Sequence, residues 1–384
     1  MLIMLVNALS YGTIIPLLYP YAAQFGIGPL GLSLLFASFS LAQLIATPIM
    51  GRLSDKYGRK PLLLISLGGT SLSLALFASA TSAPILFIAR ILDGITGGNV
   101  SVAQAAIADS TNEKERAQAF GLLGAAFGFG FLFGPAVGGI LSNISLSAPF
   151  WFASGLAATG TLAGIFMLKE TLPADVKKKK TLTKSGSNIK ALIEAFRNPN
   201  TGIVLAITLI YAIALNAWII GFQTFSTDVL KLTAQSIGLV FASFGLVSII
   251  MQAWGIKVLL AKIPFKRKIL LGSLVLSFIS IGPLYFVSTF APYFAGILFF
   301  SIVSAPINPV LTALLSERTT SDDQGGILGI NQSVNALGQI IGPLMAGAIT
   351  AISVNSIFLA AAATLLVAVL ATKKLTEAPK KVDL

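Results

Sequence analysis

Gly51-Arg52-Leu53-Ser54-Asp55-Lys56-Tyr57-Gly58-Arg59-Lys60-Pro61 packs four cations and one acid into eleven residues, and apolar sequence resumes at once at Leu62. A soluble surface has no reason to alternate so abruptly between uncharged oil and concentrated charge. A short loop turning back at the cytoplasmic face of a membrane does, because Lys and Arg held there set the topology. The chain repeats this contrast throughout: of 384 residues, 55% are hydrophobic and only 10% are charged, against about 25% charged in globular domains. Several apolar windows reach the ~20 residues that a helix needs to cross hydrocarbon. The sequence therefore reads as an all-α integral membrane protein.

Outward from that loop, twelve transmembrane helices are expected at residues 2–24, 30–52, 61–81, 84–107, 118–141, 147–168, 202–225, 234–256, 268–288, 291–314, 325–349 and 353–372. The longest polar stretch separates the sixth from the seventh and carries Lys177-Lys178-Lys179-Lys180 and a second basic patch at Lys184–Ser187. The expected organisation is an N-terminal six-helix bundle at 1–168, a cytoplasmic basic linker at 169–200, a C-terminal bundle at 201–374 and a cytoplasmic tail at 375–384. Inside the linker, Ile189, Leu192, Ile193 and Phe196 recur at helical spacing beside Lys190 and Arg197, as in a short helix lying in the membrane interface.

Charge orients the whole. Of the 26 Lys and Arg, all but Lys231 and Arg90 fall on the side shared by both termini, the linker and the Gly51–Pro61 loop. That side is cytoplasmic, and the loops near Phe25–Leu30, Ala80–Pro84 and Ser142–Pro149 on the other side carry no charge. The expected location is the cytoplasmic (inner) membrane, multi-pass, with both termini cytoplasmic. The net charge of +12 is thus topology and not a nucleic-acid footprint. Met1-Leu2-Ile3-Met4-Leu5-Val6 lacks the basic n-region of a cleavable signal. The chain opens almost inside its first span, and an N-terminus a few residues longer is expected.

The chain has no His and no Cys, which removes thiol chemistry, disulfides and His-based proton relays. With no metal-ligand cluster and no paired embedded carboxylates, no catalytic residue, metal or cofactor is expected, and the protein is not read as an enzyme.

An internal repeat is legible 208 residues apart: Gly121, Gly130, Gly134, Pro135 and Gly139 recur as Gly329, Gly338, Gly342, Pro343 and Gly347. Asp109 recurs as Glu317, and Glu115 as Asp323. Six plus six helices in parallel repeats is the arrangement of two pseudo-symmetric bundles flanking a central site.

At this point the residues resemble a known family. The Gly51–Lys60 stretch matches the loop 2–3 signature of the major facilitator superfamily at every defining position, and the resemblance extends over the twelve spans and central linker. Asp55 and Arg59 lie four apart and can pair on one helical face, with Asp109 a further partner for Arg59. The resemblance implies a conformational latch made by Gly51, Asp55, Gly58, Arg59 and Asp109, with the acid also near the start of the eleventh helix at Ser321–Gly326. The second half has only a degraded copy: Gly255 is followed by Lys257, Lys262, Lys266, Arg267 and Lys268 with no acid. The latch is therefore expected to be one-sided.

In the fifth span, Gly124/Gly128, Gly130/Gly134 and Gly134/Gly138 are spaced by four, which makes flat faces for close helix approach. Pro135 removes one helix hydrogen bond. Gly130, Gly134, Pro135, Gly138 and Gly139 together resemble the fifth-helix signature of the family's exporters. In the fourth span, Arg90 and Asp93 stand three apart as the only ionisable pair embedded in a span, at ~2.5–3.5 kcal/mol each on insertion scales. They are expected to face an aqueous cavity or a partner. Arg90 and Gly94 match the family's fourth-helix signature, whose Arg is associated with proton coupling. Asp93 is the carboxylate whose proton affinity could change between access states.

One departure is Asn7. The tetracycline antiporters often carry an acid nine residues before a first-span Pro, and here that slot precedes Pro16 as an amide. Substrate-cavity candidates are the intramembrane polar and aromatic residues Asn7, Tyr11, Asn99, Gln104, Asn216, Trp218, Gln223, Gln332 and Asn335, which should point inward. The resemblance implies a drug:proton antiporter exporting small, fairly apolar compounds by alternating access. Its partners would be substrate, protons and lipid, with no nucleic acid, and a monomer is the family expectation. A sugar or metabolite facilitator of the same fold and a non-transporting membrane sensor are the alternatives.

Overall fold

The computed structural model describes residues 2–97, 99–111, 113–172, 189–263, 265–319, 324–350 and 352–375, and among these it is helical without a strand. Six spans precede the linker: residues 2–25, Pro29–Tyr57, Arg59–Ala78, the pair Ala83–Thr96 and Asn99–Ser110, Glu113–Leu141, and Ala148–Met167. Six follow it: Gly202–Val229, Ala234–Lys262, Lys266–Phe286 and Phe290–Glu317, then Gln324–Ile349 and Ser356–Lys373. Among the described residues, ten helices are long and apolar enough by length and composition to cross a membrane. Large apolar side chains such as Leu72, Phe166, Trp254 and Leu370 are exposed along the spans, as helices facing hydrocarbon require.

Local chemistry explains where the helices start and stop. Pro29, Pro84 and Pro149 stand in the first turn of their helices, where no intrahelical N–H is needed. The second span runs on through Tyr57, so the charged stretch expected to be a loop is mostly helix and the turn shrinks to Gly58, at φ +112°. The expected single fourth helix is broken at Gly97. Its freed carbonyls are taken up by neighbours: Gln43 Nε2 donates to Gly97 O at 3.0 Å, and the Ser66 hydroxyl donates to Thr96 O. The expected linker helix forms over Ile189–Arg197, with Ile193 exposed. Both basic patches of the linker and nearly all of the tail lie outside the described residues.

The chain divides into two compact units: Met1–Ser187 with Lys231–Ser243, and Asn188–Leu230 with Phe244–Leu384. Inside the first, the first span packs along the fifth and the third along the sixth; inside the second, the seventh packs along the eleventh and the ninth along the twelfth. These two pairings are the same in both. One core cluster of the first unit gathers Met4, Met50, Leu63, Leu67, Val102 and Ala157 from five spans. A second layer stacks Tyr21 on Phe77 and Phe150, with ring centroids 5.5 and 4.8 Å away. The second unit has its own aromatic core, in which Trp218 lies 4.8 Å from Phe244 and 5.0 Å from Phe300.

The repeated glycines explain the shared pairing. A Cβ added at Gly134 would lie 2.6 Å from Gly12 C and Thr13 N, and one at Gly130 would overlap the backbone of Ala8. In the second unit, Gly338 faces Ala212 in the same way, and Gly342 faces Ile213, Asn216 and Ala217. Glycine is thus needed at these positions so that two helix backbones can touch. Gly138 lies against Thr13, while Gly139 turns to the start of the eighth span, where an added Cβ would sit 3.3 Å from Gly238 Cα.

Candidate functional site

The fourth span delivers Arg90 and Asp93 to the interior of the first unit. They are 3% and 6% exposed, and Arg90 Nη1 lies 3.1 Å from Asp93 Oδ2. Neither faces lipid. Around them pack Ile14 and Leu18 of the first span, Ser73, Leu74 and Phe77 of the third and Phe150 of the sixth. Thr70 and Ser73 of the third span stand near the carboxylate, and the Ser73 hydroxyl donates to Thr70 O at 3.0 Å. The pair therefore meets partners within its own unit rather than an open aqueous face.

Gly94 makes room for this arrangement. A Cβ there would lie 2.7 Å from Ala42 Cβ and 3.2 Å from Gln43 N, so its absence lets the fourth span close on the second. That approach places Phe39 under the guanidinium, with Arg90 Cζ 4.1 Å from the ring centroid. Phe39 is a participant that sequence reasoning missed, since one Phe in an apolar helix carries no signal of its own. Tyr11 joins the group, 6.2 Å from both the Phe39 and Phe131 rings and within electrostatic reach of both charges.

At the other end of the second span the charged motif assembles as its spacing predicts. Arg59 Nη2 meets Asp55 Oδ1 at 2.8 Å, Arg59 Nε meets Asp109 Oδ2 at 2.9 Å, and Nη1 donates to Ser54 Oγ at 2.6 Å. Gly51 stands apart from the charges and accepts a bond from Ser54 Oγ at 2.7 Å. Of the eleventh-helix segment expected near Asp55, residues 321–323 lie outside the described residues.

Sequence reasoning missed the acid that holds this turn. Glu170 accepts the backbone N–H groups of Arg59 at 2.8 Å, Lys60 at 3.3 Å, Thr171 at 2.9 Å and Leu172 at 3.0 Å. It caps the start of the third span, where the helix end favours an anion. Gly58 permits the approach: a side chain there would collide with the Glu170 carboxylate, and its φ of +112° suits glycine. Partial burial alone would raise the Glu170 pKa, but the four N–H donors outweigh it and hold the group below its usual 4.5. A lowered folded pKa contributes stability above the ordinary value and loses it as pH falls through the folded one. Glu170→Ala is therefore expected to cost about 1 kcal/mol at pH 7. Thermal melts in detergent should show the gap from wild type closing below pH 4.5.

The second unit also brings an acid to the start of its third helix. Glu317, at the repeat position of Asp109, pairs with Lys266. The acid comes from the end of the tenth span and not from the loop, which is why the loop alone did not reveal it. Among the described residues the arm made by Asp55 has no such counterpart. A further element repeats: Lys60 Nζ donates to Ile165 O and Arg267 Nη2 to Lys373 O, both at 2.8 Å, so each unit ties a helix start to the last carbonyls of its final span.

The cavity candidates separate. Trp218 and Gln223 are inward but sit in the packed core of the second unit, at 1% and 0% exposure. Inward therefore does not mean cavity-lining. Asn216 and Asn335 spend their amides on carbonyls one turn back, Ala212 O at 2.8 Å and Asn331 O at 2.9 Å. Asn7 and Gln104 are half-buried, Gln332 is exposed, and the side chain of Asn99 lies outside the described residues. Of the nine, Tyr11 is brought to the charged pair.

A model of the Major Facilitator Superfamily matches residues 1–263 and 222–383. The chain is 30% identical over 365 residues to multidrug resistance protein 2 of Bacillus subtilis (strain 168), covering 94% of this chain and 90% of that one. It is 30% identical over 357 residues to the class E tetracycline resistance protein of Escherichia coli, covering 90% and 85%. The crystal structure of the human organic anion transporter MFSD10 (TETRAN) shares the fold, with a TM-score of 0.72 at 21% identity over 97% of both chains. By these matches, and by the repeated helix pairing that underlies them, the chain belongs to the major facilitator superfamily.

Proposed function

We propose that this protein is a secondary active transporter that exports small, fairly apolar, drug-like compounds in exchange for protons by alternating access. The observation that carries the reading is the Arg90–Asp93 pair, a titratable carboxylate buried within a span beside a fixed cation. A buried carboxylate is costly unless it is used, and a proton exchanger needs one whose affinity changes with conformation. The relatives' names, as tetracycline and multidrug resistance proteins, support efflux of drug-like substrates.

In this reading residues 1–168 and 201–374 are the two six-helix bundles, 169–200 the cytoplasmic linker and 375–384 the cytoplasmic tail. The protein would be a monomer in the cytoplasmic membrane with both termini inside. Arg59, held by Asp55 and Asp109, would latch the cytoplasmic side when closed. Substrate would meet Tyr11 and the half-buried Asn7 and Gln104 of the first bundle. Asn7, an amide where related antiporters often hold an acid, supports the second reading, an uncoupled sugar or metabolite facilitator.

Proteoliposomes decide between them. With an acidic lumen, tetracycline, ethidium or a quinolone should accumulate against its own gradient, and a protonophore should abolish the accumulation. Movement of every compound only down its own gradient, unaffected by lumen pH, would establish the facilitator.

A further inference from the structure

We infer that Phe39 is a positioning residue for proton exchange: its ring holds the Arg90 guanidinium so that Asp93 can take up and release a proton inside the bundle. This rests on the proposal that Asp93 is the exchanging carboxylate. Three features of the geometry lead to it. Arg90 makes a single bond to Asp93, through Nη1 at 3.1 Å, and its Nε finds no hydrogen-bond partner among the described residues. The guanidinium lies on the Phe39 ring, 4.1 Å from the centroid. The ring is itself fixed, buried at 5% exposure on a span drawn against the fourth by Gly94 and by the Gln43 bond to Gly97 O at 3.0 Å.

An isolated Arg–carboxylate pair prefers the two-bond fork, which favours the ionised acid. Seated on the ring, Arg90 presents one nitrogen to Asp93 in place of that fork. When Asp93 is protonated, Arg90 loses its counter-ion, and the negative face of the ring remains as its partner. Loss of the fork favours the protonated acid, and the ring keeps the cation partnered in that state. Phe39 therefore raises the proton affinity of Asp93 without itself titrating. Of the spans packed around the pair, the first adds the phenol of Tyr11, the third the hydroxyls of Thr70 and Ser73, and the second, fifth and sixth the apolar rings of Phe39, Phe131 and Phe150. No other charged group faces it among the described residues.

The test needs no known substrate. Infrared difference spectra of the purified protein, taken as a function of pH, contain a protonated-carboxyl C=O band that Asp93→Asn removes. In Phe39→Leu and in Phe39→Met, which keeps the bulk without the π face, the midpoint of that band should fall by about one pH unit, a tenfold loss of proton affinity. Phe39→Trp should restore it. A ring that served packing alone would lower the melting temperature and leave the midpoint in place. An unmoved or raised midpoint in both Leu and Met variants overturns the role of Phe39 while leaving Asp93 as the exchanging acid. A spectrum with no titrating band removed by Asp93→Asn overturns that reading instead, and this inference with it.

Discussion

Asp93→Asn is expected to abolish pH-gradient-driven accumulation while leaving downhill movement of the same compound within a few-fold of wild type. A one-unit pH difference stores about 1.4 kcal/mol per proton, enough to sustain about a tenfold gradient of substrate. An amide of the same shape keeps the site's volume and cannot carry the proton, so the sustained ratio should fall to one. The substitution also leaves Arg90 buried without its acid, and breaking a buried pair from one side costs about 3–5 kcal/mol. Loss of transport alone would therefore be ambiguous.

A double variant removes the ambiguity. With Arg90→Met and Asp93→Asn together, no charge is stranded, and the melting temperature should return toward wild type. Uphill accumulation should stay absent. If Asp93→Asn sustained the full tenfold ratio, coupling would have to run through another group, and the first span offers Asn7 rather than an acid at the slot that related antiporters use.

How much of this the sequence disclosed follows from the kind of signal each feature leaves. The twelve spans are periodic and long, and the charge bias is summed over many residues, so both survive without any tertiary knowledge. The Asp55–Arg59 pair is local on one helix and was legible for that reason. Glu170 was not, because it reaches the Arg59 N–H from 111 positions away in sequence. Phe39 meets Arg90 only because Gly94 lets two helices close, and no single-helix pattern encodes that meeting. Trp218 and Gln223 show the opposite limit. Polarity in a span says that a side chain turns away from lipid, but whether it meets a cavity or a packed core depends on neighbours drawn from other helices.

The glycines of the fifth span support a prediction of comparable size about folding. Gly134→Ala is expected to destabilise the protein by at least the ~1–3 kcal/mol typical of overpacking. The added carbon would lie 2.6 Å from Gly12 C and Thr13 N, which are backbone atoms that no rotamer change can withdraw. Separation of the first and fifth spans would be the only relief, and that exposes the apolar seam along their length. Gly155→Ala is the matched control, with nothing within 4 Å of the new carbon, and there the better helix propensity of Ala should stabilise by up to about 1 kcal/mol. Gly342→Ala repeats the experiment in the second unit, where the collision is with Ile213 O, 2.6 Å away, and Asn216 Cβ, 2.8 Å away. Thermal melts and the yield of folded protein should rank Gly134→Ala and Gly342→Ala together, far below Gly155→Ala. Should Gly134→Ala melt like the control, the row of glycines would not be what seats the first span. Because the two crowded sites share no contact partner, their costs should add in the double variant, as expected of a fold that closes the same helix pair twice, each time on its own glycines.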